Sequence, residues 1–150
     1  MQAPASIGFP DPVARRDFYA NVLTKRLVAF LIDSALITLI TIAIIPLTAF
    51  VALLFFGFLG LIISLIYRIL SLSGRSATPG MRLMGIEFRN HRGERLGKGM
   101  AIAHTILFTL SLSMVVPQVI SIILMLTTAR GQSLIDLALG TAVINKSVIN

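Results

Sequence analysis

From Leu27 to Ile45 the chain is apolar at almost every position, broken by one acid, Asp33, and a few hydroxyls. A run of about 19 such residues crosses a bilayer core of ~30 Å at about 1.5 Å per residue. The pattern predicts a first helix over about 26–45, closed by Pro46, because proline ends helices and biases its predecessor away from helical geometry. A charge-free turn at Pro46–Thr48 leads to a second apolar helix over about 49–72. Residues 73–99 then turn basic, and residues 100–129 turn apolar again around Pro117. About 30 apolar residues are too many for one simple pass and few for two, so a bent or re-entrant segment is expected there, with one long kinked helix as the rival.

Between these runs the polar positions mark smaller elements. Thr78-Pro79-Gly80-Met81 reads as a type II turn, with Pro and Gly at its centre. Residues 84–89 alternate, Asn90-His91-Arg92-Gly93 turns, and residues 94–96 return, which predicts a short β-hairpin on the membrane surface. Two strands alone are marginal, and the β-prone stretch at 141–146 offers a third. Ser133 and Asp136 have capping-box spacing, and Gly140 suits a helix end. The fold class is therefore an all-α membrane protein: a helical hairpin, a kinked third apolar segment, and a small cytoplasmic β element at 84–96. Residues 1–24 read as a flexible tail, residues 25–146 as one transmembrane domain, and residues 147–150 as a short end.

Composition agrees. Only 13% of the 150 residues are charged, and mean hydropathy is +0.92; a soluble domain carries about 25% charged residues. The absence of cysteine excludes a disulfide framework and thiolate chemistry. The net charge of +7 sits beside apolar runs, so anionic lipid headgroups at the 73–99 loop explain it better than nucleic acid does. The first apolar run follows some 25 mostly polar residues, contains Asp33 and lacks a small-residue cleavage site, which does not match a cleaved leader. Positively charged short loops stay in the cytoplasm, so the amino end and the 73–99 loop are expected there, and the carboxyl end with them if 100–129 goes out and back.

A carboxylate inside an apolar helix costs roughly 2.5–3.5 kcal/mol, so Asp33 is expected to face protein or water. Arg26 lies seven residues before it on the same helical face and would tune its pKa. Ser34 begins a neighbouring polar strip. Arg68, in the last turn of the second helix, snorkels to the interface or pairs with an acid. Gly57, Gly60 and Ser64 form a small-residue face for a homo-oligomer or for packing against helix one. His104, Ser111 and Gln118 repeat every seven residues and would share a face of an unbroken helix. His104 is a proton carrier on the sharp reading and a hydrogen-bonded interfacial histidine on the plain one. No second histidine or cysteine stands near it to complete a metal site, and no cofactor or catalytic constellation is expected.

Arg26 with Asp33, the Thr78-Pro79-Gly80-Met81-Arg82-Leu83-Met84-Gly85 stretch, and Gln132 through Thr141 together resemble the RDD family of bacterial membrane proteins. The family is named for an arginine and two aspartates, and Arg26, Asp33 and Asp136 take those positions over a likeness covering roughly 22–146. The third apolar region is shorter and less charged than the family pattern. The resemblance implies a polytopic protein of the bacterial inner membrane, some of whose relatives are linked to sodium/proton exchange. Two functions follow as expectations: ion, proton or small-solute transport by an oligomer, or a non-transporting scaffold whose Arg26, Asp33, Arg68 and Asp136 form a structural network. An enzyme is not expected.

Overall fold

The computed structural model describes residues 8–48 and 55–146. Helix α1 (Val22–Leu47) is longer at both ends than its apolar run. Pro46 does not close it but sits in its last turn, where the ring removes one ladder donor and the helix ends one residue later. Thr48 caps it, its N–H and hydroxyl donating to the Ile44 and Ile45 carbonyls. Helix α2 (Phe56–Arg75) follows; the part of it expected from Ala49 to Leu54 lies outside the described residues, as do residues 1–7 and 147–150. Both helices are long and apolar enough to cross a membrane. Their exposed side chains, among them Leu31, Leu39, Phe58, Ile66 and Leu70, are those that lipid would cover.

The buried apolar core lies at one end of this pair. Val22 and Ala29 of α1, Leu72 of α2, and Ala77, Met81, Ile86, Phe88, Leu96, Ala101 and Val143 from later segments form one cluster. Such a core is what a water-facing end needs, because the hydrophobic effect acts only where water is the alternative.

Three local readings are corrected here. Thr78-Pro79-Gly80-Met81 is not a type II turn but the start of a short helix, α3 (Pro79–Leu83), with proline at its first position and the Thr78 hydroxyl accepting from Met81 N–H at 3.3 Å. The 84–89 strand exists as β1 (Ile86–Asn90), yet its expected return at 94–96 forms no strand. β1 pairs instead with β2 (Thr141–Asn145), antiparallel, with Phe88 opposite Val143 and Asn90 opposite Thr141. Every residue of β2 is buried, so pairing there covers apolar surface that a 94–96 strand does not offer. The turn at 90–93 survives: Asn90 N–H donates to the Glu94 carbonyl, and Leu96 N–H is taken by the Ser76 hydroxyl at 2.7 Å.

The third correction concerns 100–129. It forms two helices, α4 (Lys98–Ser113) and α5 (Val115–Thr127), which meet at 112°. The break falls at Met114, in extended conformation, and not at Pro117. Pro117 is the third residue of α5, where its missing N–H costs nothing because first-turn donors have no helical partner. At 1.5 Å per residue the two arms are about 24 and 20 Å long, each short of a ~30 Å core. The bend turns the chain back on itself: helix α6 (Leu134–Leu139) packs by α4, where Asp136 meets His104, and β2 returns to β1.

The amino-terminal segment joins this end too. A 3-10 turn spans Arg16–Phe18, and the Asn145 side chain donates to the Asp17 and Ala20 carbonyls, each at 2.9 Å. Lys25 Nζ donates to the same side chain at 2.6 Å.

Candidate functional site

Arg26 and Asp33 share a face of α1, two turns apart, but they do not meet. Each organises its own cluster.

Asp33 is 2% exposed. Its Oδ1 accepts from the Tyr67 hydroxyl of α2 at 2.7 Å and from Gly80 N–H at 2.8 Å, and its Oδ2 accepts from the Thr78 hydroxyl. All three donors are neutral. The carboxylate thus takes up an otherwise orphaned N–H at the start of α3 and the hydroxyl that caps it, which fastens the chain after α2 against α1. Glycine at 80 is required by proximity: a Cβ there would stand 2.9 Å from the Asp33 carboxyl carbon and closer still to the Ala29 carbonyl oxygen.

Asp136 is fully buried and lies at the start of α6. It closes a capping box in which Ser133 N–H donates to Oδ2 at 2.9 Å and Asp136 N–H donates to the Ser133 hydroxyl at 3.2 Å. The same carboxylate does more than cap. Arg26 Nη1 reaches Oδ2 at 2.7 Å and also the Gly131 carbonyl at 3.0 Å. His104 Nε2 lies 3.2 Å from Oδ1, and the Thr141 hydroxyl donates to Oδ1 at 3.0 Å. The carboxylate assigns the ring proton to Nε2, and among the described residues Nδ1 of the buried ring has no partner. The His104 ring meets Phe88 edge-on at 4.5 Å. Burial pushes the Asp136 carboxyl up, but the Arg26 guanidinium, the His104 hydrogen bond and the Ser133 N–H outweigh it and hold it well below the usual carboxylate range.

The clusters flank one small cavity of about 70 Å³, bounded by Arg26, Asp33, Arg68, Thr78, His104 and Phe108 among others. Arg68 is 8% exposed and stacks its guanidinium over Phe108, 3.8 Å from the ring centroid. Among the described residues it makes no ion pair, so the expectation that it pairs with an acid is corrected: an aromatic face receives it. The expectation that Arg26 acts on Asp33 is corrected likewise, because Asp136 takes the guanidinium.

The remaining expected residues stand apart from these clusters. Ser34 is half-buried, and its carbonyl accepts from the Thr38 hydroxyl. Ser111 and Gln118 meet at 3.4 Å across the break between α4 and α5, away from His104. Gly60 lies against Thr41 of α1, while Gly57 is exposed with open space beside it. Tyr67, Thr78, Gly80 and Thr141 are site residues that charge and periodicity do not reveal. Threonine before proline is a helix-start signal that could have found Thr78.

Apolar spans joined at one end by two buried aspartate clusters, one of them paired with Arg26, define a membrane-embedded helical protein. The chain belongs to the RDD family, whose model matches residues 20–140 and so takes in Arg26, Asp33 and Asp136. No curated protein and no solved structure matches it.

Proposed function

We propose that this protein is a non-transporting membrane module of the bacterial inner membrane. Arg26, Asp33 and Asp136 clamp a folded, water-facing end onto the spans, and that end serves as an assembly surface. The observation that supports this most is that every oxygen of both carboxylates already accepts from the protein's own donors: Tyr67, Thr78 and Gly80 on Asp33, and Arg26, His104, Ser133 and Thr141 on Asp136. A carrier acid has to leave coordination open for its ion. The amino-terminal segment, the 73–99 loop and β2 meet at one end, and the bias of basic residues assigns that end to the cytoplasm. A carboxyl-terminal tag reachable only from the cytoplasm is the expected result; a periplasmic tag overturns the orientation.

The test is ion and proton exchange by the purified protein in vesicles. Flux equal to that of empty vesicles is expected, with Asp33→Asn lowering the yield of folded protein. Flux in the wild type that disappears in a well-folded Asp33→Asn variant overturns the proposal.

A second reading, proton-linked transport by an oligomer, draws on a different observation. His104 lines the cavity between the clusters, and among the described residues its buried Nδ1 has no hydrogen-bond partner. Two spans and a bent pair are few helices to line a path across a membrane, so this reading calls on a second copy, with exposed Gly57 beside Gly60 and Ser64 as the contact. Flux that survives Asp33→Asn but is lost in a folded His104→Gln variant is its signature.

A further inference from the structure

At the water-facing end, lined by none of the residues that hold Asp33 or Asp136, lies a larger concavity of about 420 Å³. That is within the range of roughly 300–1,000 Å³ typical of ligand pockets. Four cations line it, and each comes from a different stretch: Arg75 ends α2, Arg82 lies on α3, Arg95 follows the turn after β1, and Lys146 follows β2. Only folding brings them together. All four side chains are exposed, and among the described residues none forms an ion pair within 4.0 Å or a side-chain hydrogen bond.

One acid, Glu87, also lines the cleft, but it is 2% exposed and its carboxylate is already paired with Arg89. Among the described residues the cleft therefore presents four exposed cations and no unpaired acid. A solvated basic face is the ordinary reading of surface arginines. Here the charges converge on a concavity, which focuses their field and raises the local concentration of anions. The floor is open as well: Gly85 lines it at φ +67°, with nothing within 4 Å of where a Cβ would stand.

We propose that this cleft binds a phosphate ester, supplied by the headgroup of an anionic phospholipid. Arginine guanidinium forks match phosphate oxygens, which favours phosphate over a carboxylate of equal charge. The lipid is favoured as the source because Arg75 is the last residue of α2, a helix long and apolar enough to span, so the cleft opens where headgroups lie. The inference holds whether the module scaffolds or transports.

The test uses the full chain, purified and delipidated in a neutral detergent. Binding is read by native mass spectrometry and by the shift of the thermal midpoint on adding short-chain phosphatidylglycerol, short-chain phosphatidylcholine, glycerol phosphate or inorganic phosphate. Phosphatidylglycerol should bind at least about tenfold more tightly than phosphatidylcholine. The double variant Arg82→Gln/Arg95→Gln should weaken it about tenfold, and Arg95→Lys, which keeps the charge but loses the fork, by less. Arg92→Gln, an exposed cation that does not line the cleft, should leave binding within about twofold. If the double variant does not fold, Arg95→Gln alone carries the comparison. Equal weakening by Arg92→Gln, or no preference for phosphatidylglycerol, overturns the site. Glycerol phosphate or inorganic phosphate binding as tightly as the lipid, and lost in the same variants, keeps the phosphate site and overturns the lipid as its source.

Discussion

Asp33, on α1, and Asp136, tied to α1 by Arg26, are the same residue type, both buried, and they are stabilised by different physics. Among the described residues Asp33 has no ion pair; neutral donors from α2 and from the start of α3 surround it. Asp136 has a guanidinium and an imidazole and sits inside a capping box. The difference follows from what each must hold. Asp33 fastens α2 and the segment that follows it to α1 through neutral hydrogen bonds. Asp136 fastens the carboxyl-terminal segment to a helix some hundred residues earlier, and the ion pair with Arg26 spans that separation.

The largest effect expected from this contrast is at Asp136. Replacing it with Ala leaves Arg26 and His104 without their carboxylate and should cost roughly 3–5 kcal/mol, the usual loss when one partner of a buried pair is removed. Thermal unfolding in detergent measures it. The cost should carry a pH signature. Because the folded carboxyl lies below its ordinary value, its contribution is complete above an unfolded pKa of about 3.9 and fades as pH falls from there toward the folded value. Wild type should therefore converge on Asp136→Asn below about pH 4 and exceed it in stability above. A gap that is constant across that range removes the ion pair as the cause.

At the other cluster the sharpest probe is steric. Gly80→Ala drives a Cβ into the Ala29 carbonyl and the Asp33 carboxyl, and should cost about 1–3 kcal/mol as α3 is pushed off α1. Limited proteolysis within residues 76–85 should speed up accordingly. Gly57→Ala, with open space beside it, should leave both readouts unchanged.

Asp33→Asn tests the comparison directly. The amide keeps one acceptor for Tyr67 and Gly80 but faces Thr78 with the wrong group, a loss of about 1–3 kcal/mol for a buried polar mismatch. No charge is stranded, so the loss should be smaller than that of Asp136→Ala. An equal or greater loss would mean that the field of Arg68 across the cavity stabilises Asp33 as an ion, and the contrast between the two acids fails.

These clusters show where the sequence stops being informative. The acids were legible, because a charge inside an apolar run has to be matched. Their partners were not. Helical periodicity puts Arg26 and Asp33 on one face and says nothing of what approaches that face, and Asp136 lies 110 residues from the arginine that meets it. The strand at 86–90 is visible in the alternation of 84–89, but choosing between a return at 94–96 and a distant mate at 141–145 requires knowing that α4 and α5 fold back. That depends on a break at Met114, which carries no sequence mark, while the proline three residues on lies harmlessly in a first turn.

The smallest effects separate capping from clamping. Ser133 and Thr78 both cap a short helix through a side-chain oxygen. Ser133→Ala removes a cap and should cost about 1 kcal/mol, because its backbone N–H still donates to Asp136. Thr78→Val removes an equivalent cap together with the hydroxyl that donates to Asp33, so it should cost about 1 kcal/mol more. In an Asp33→Asn background that excess should shrink, because the carboxylate it serves is gone; a full double-mutant cycle with coupling near zero would show that Thr78 caps α3 without holding Asp33.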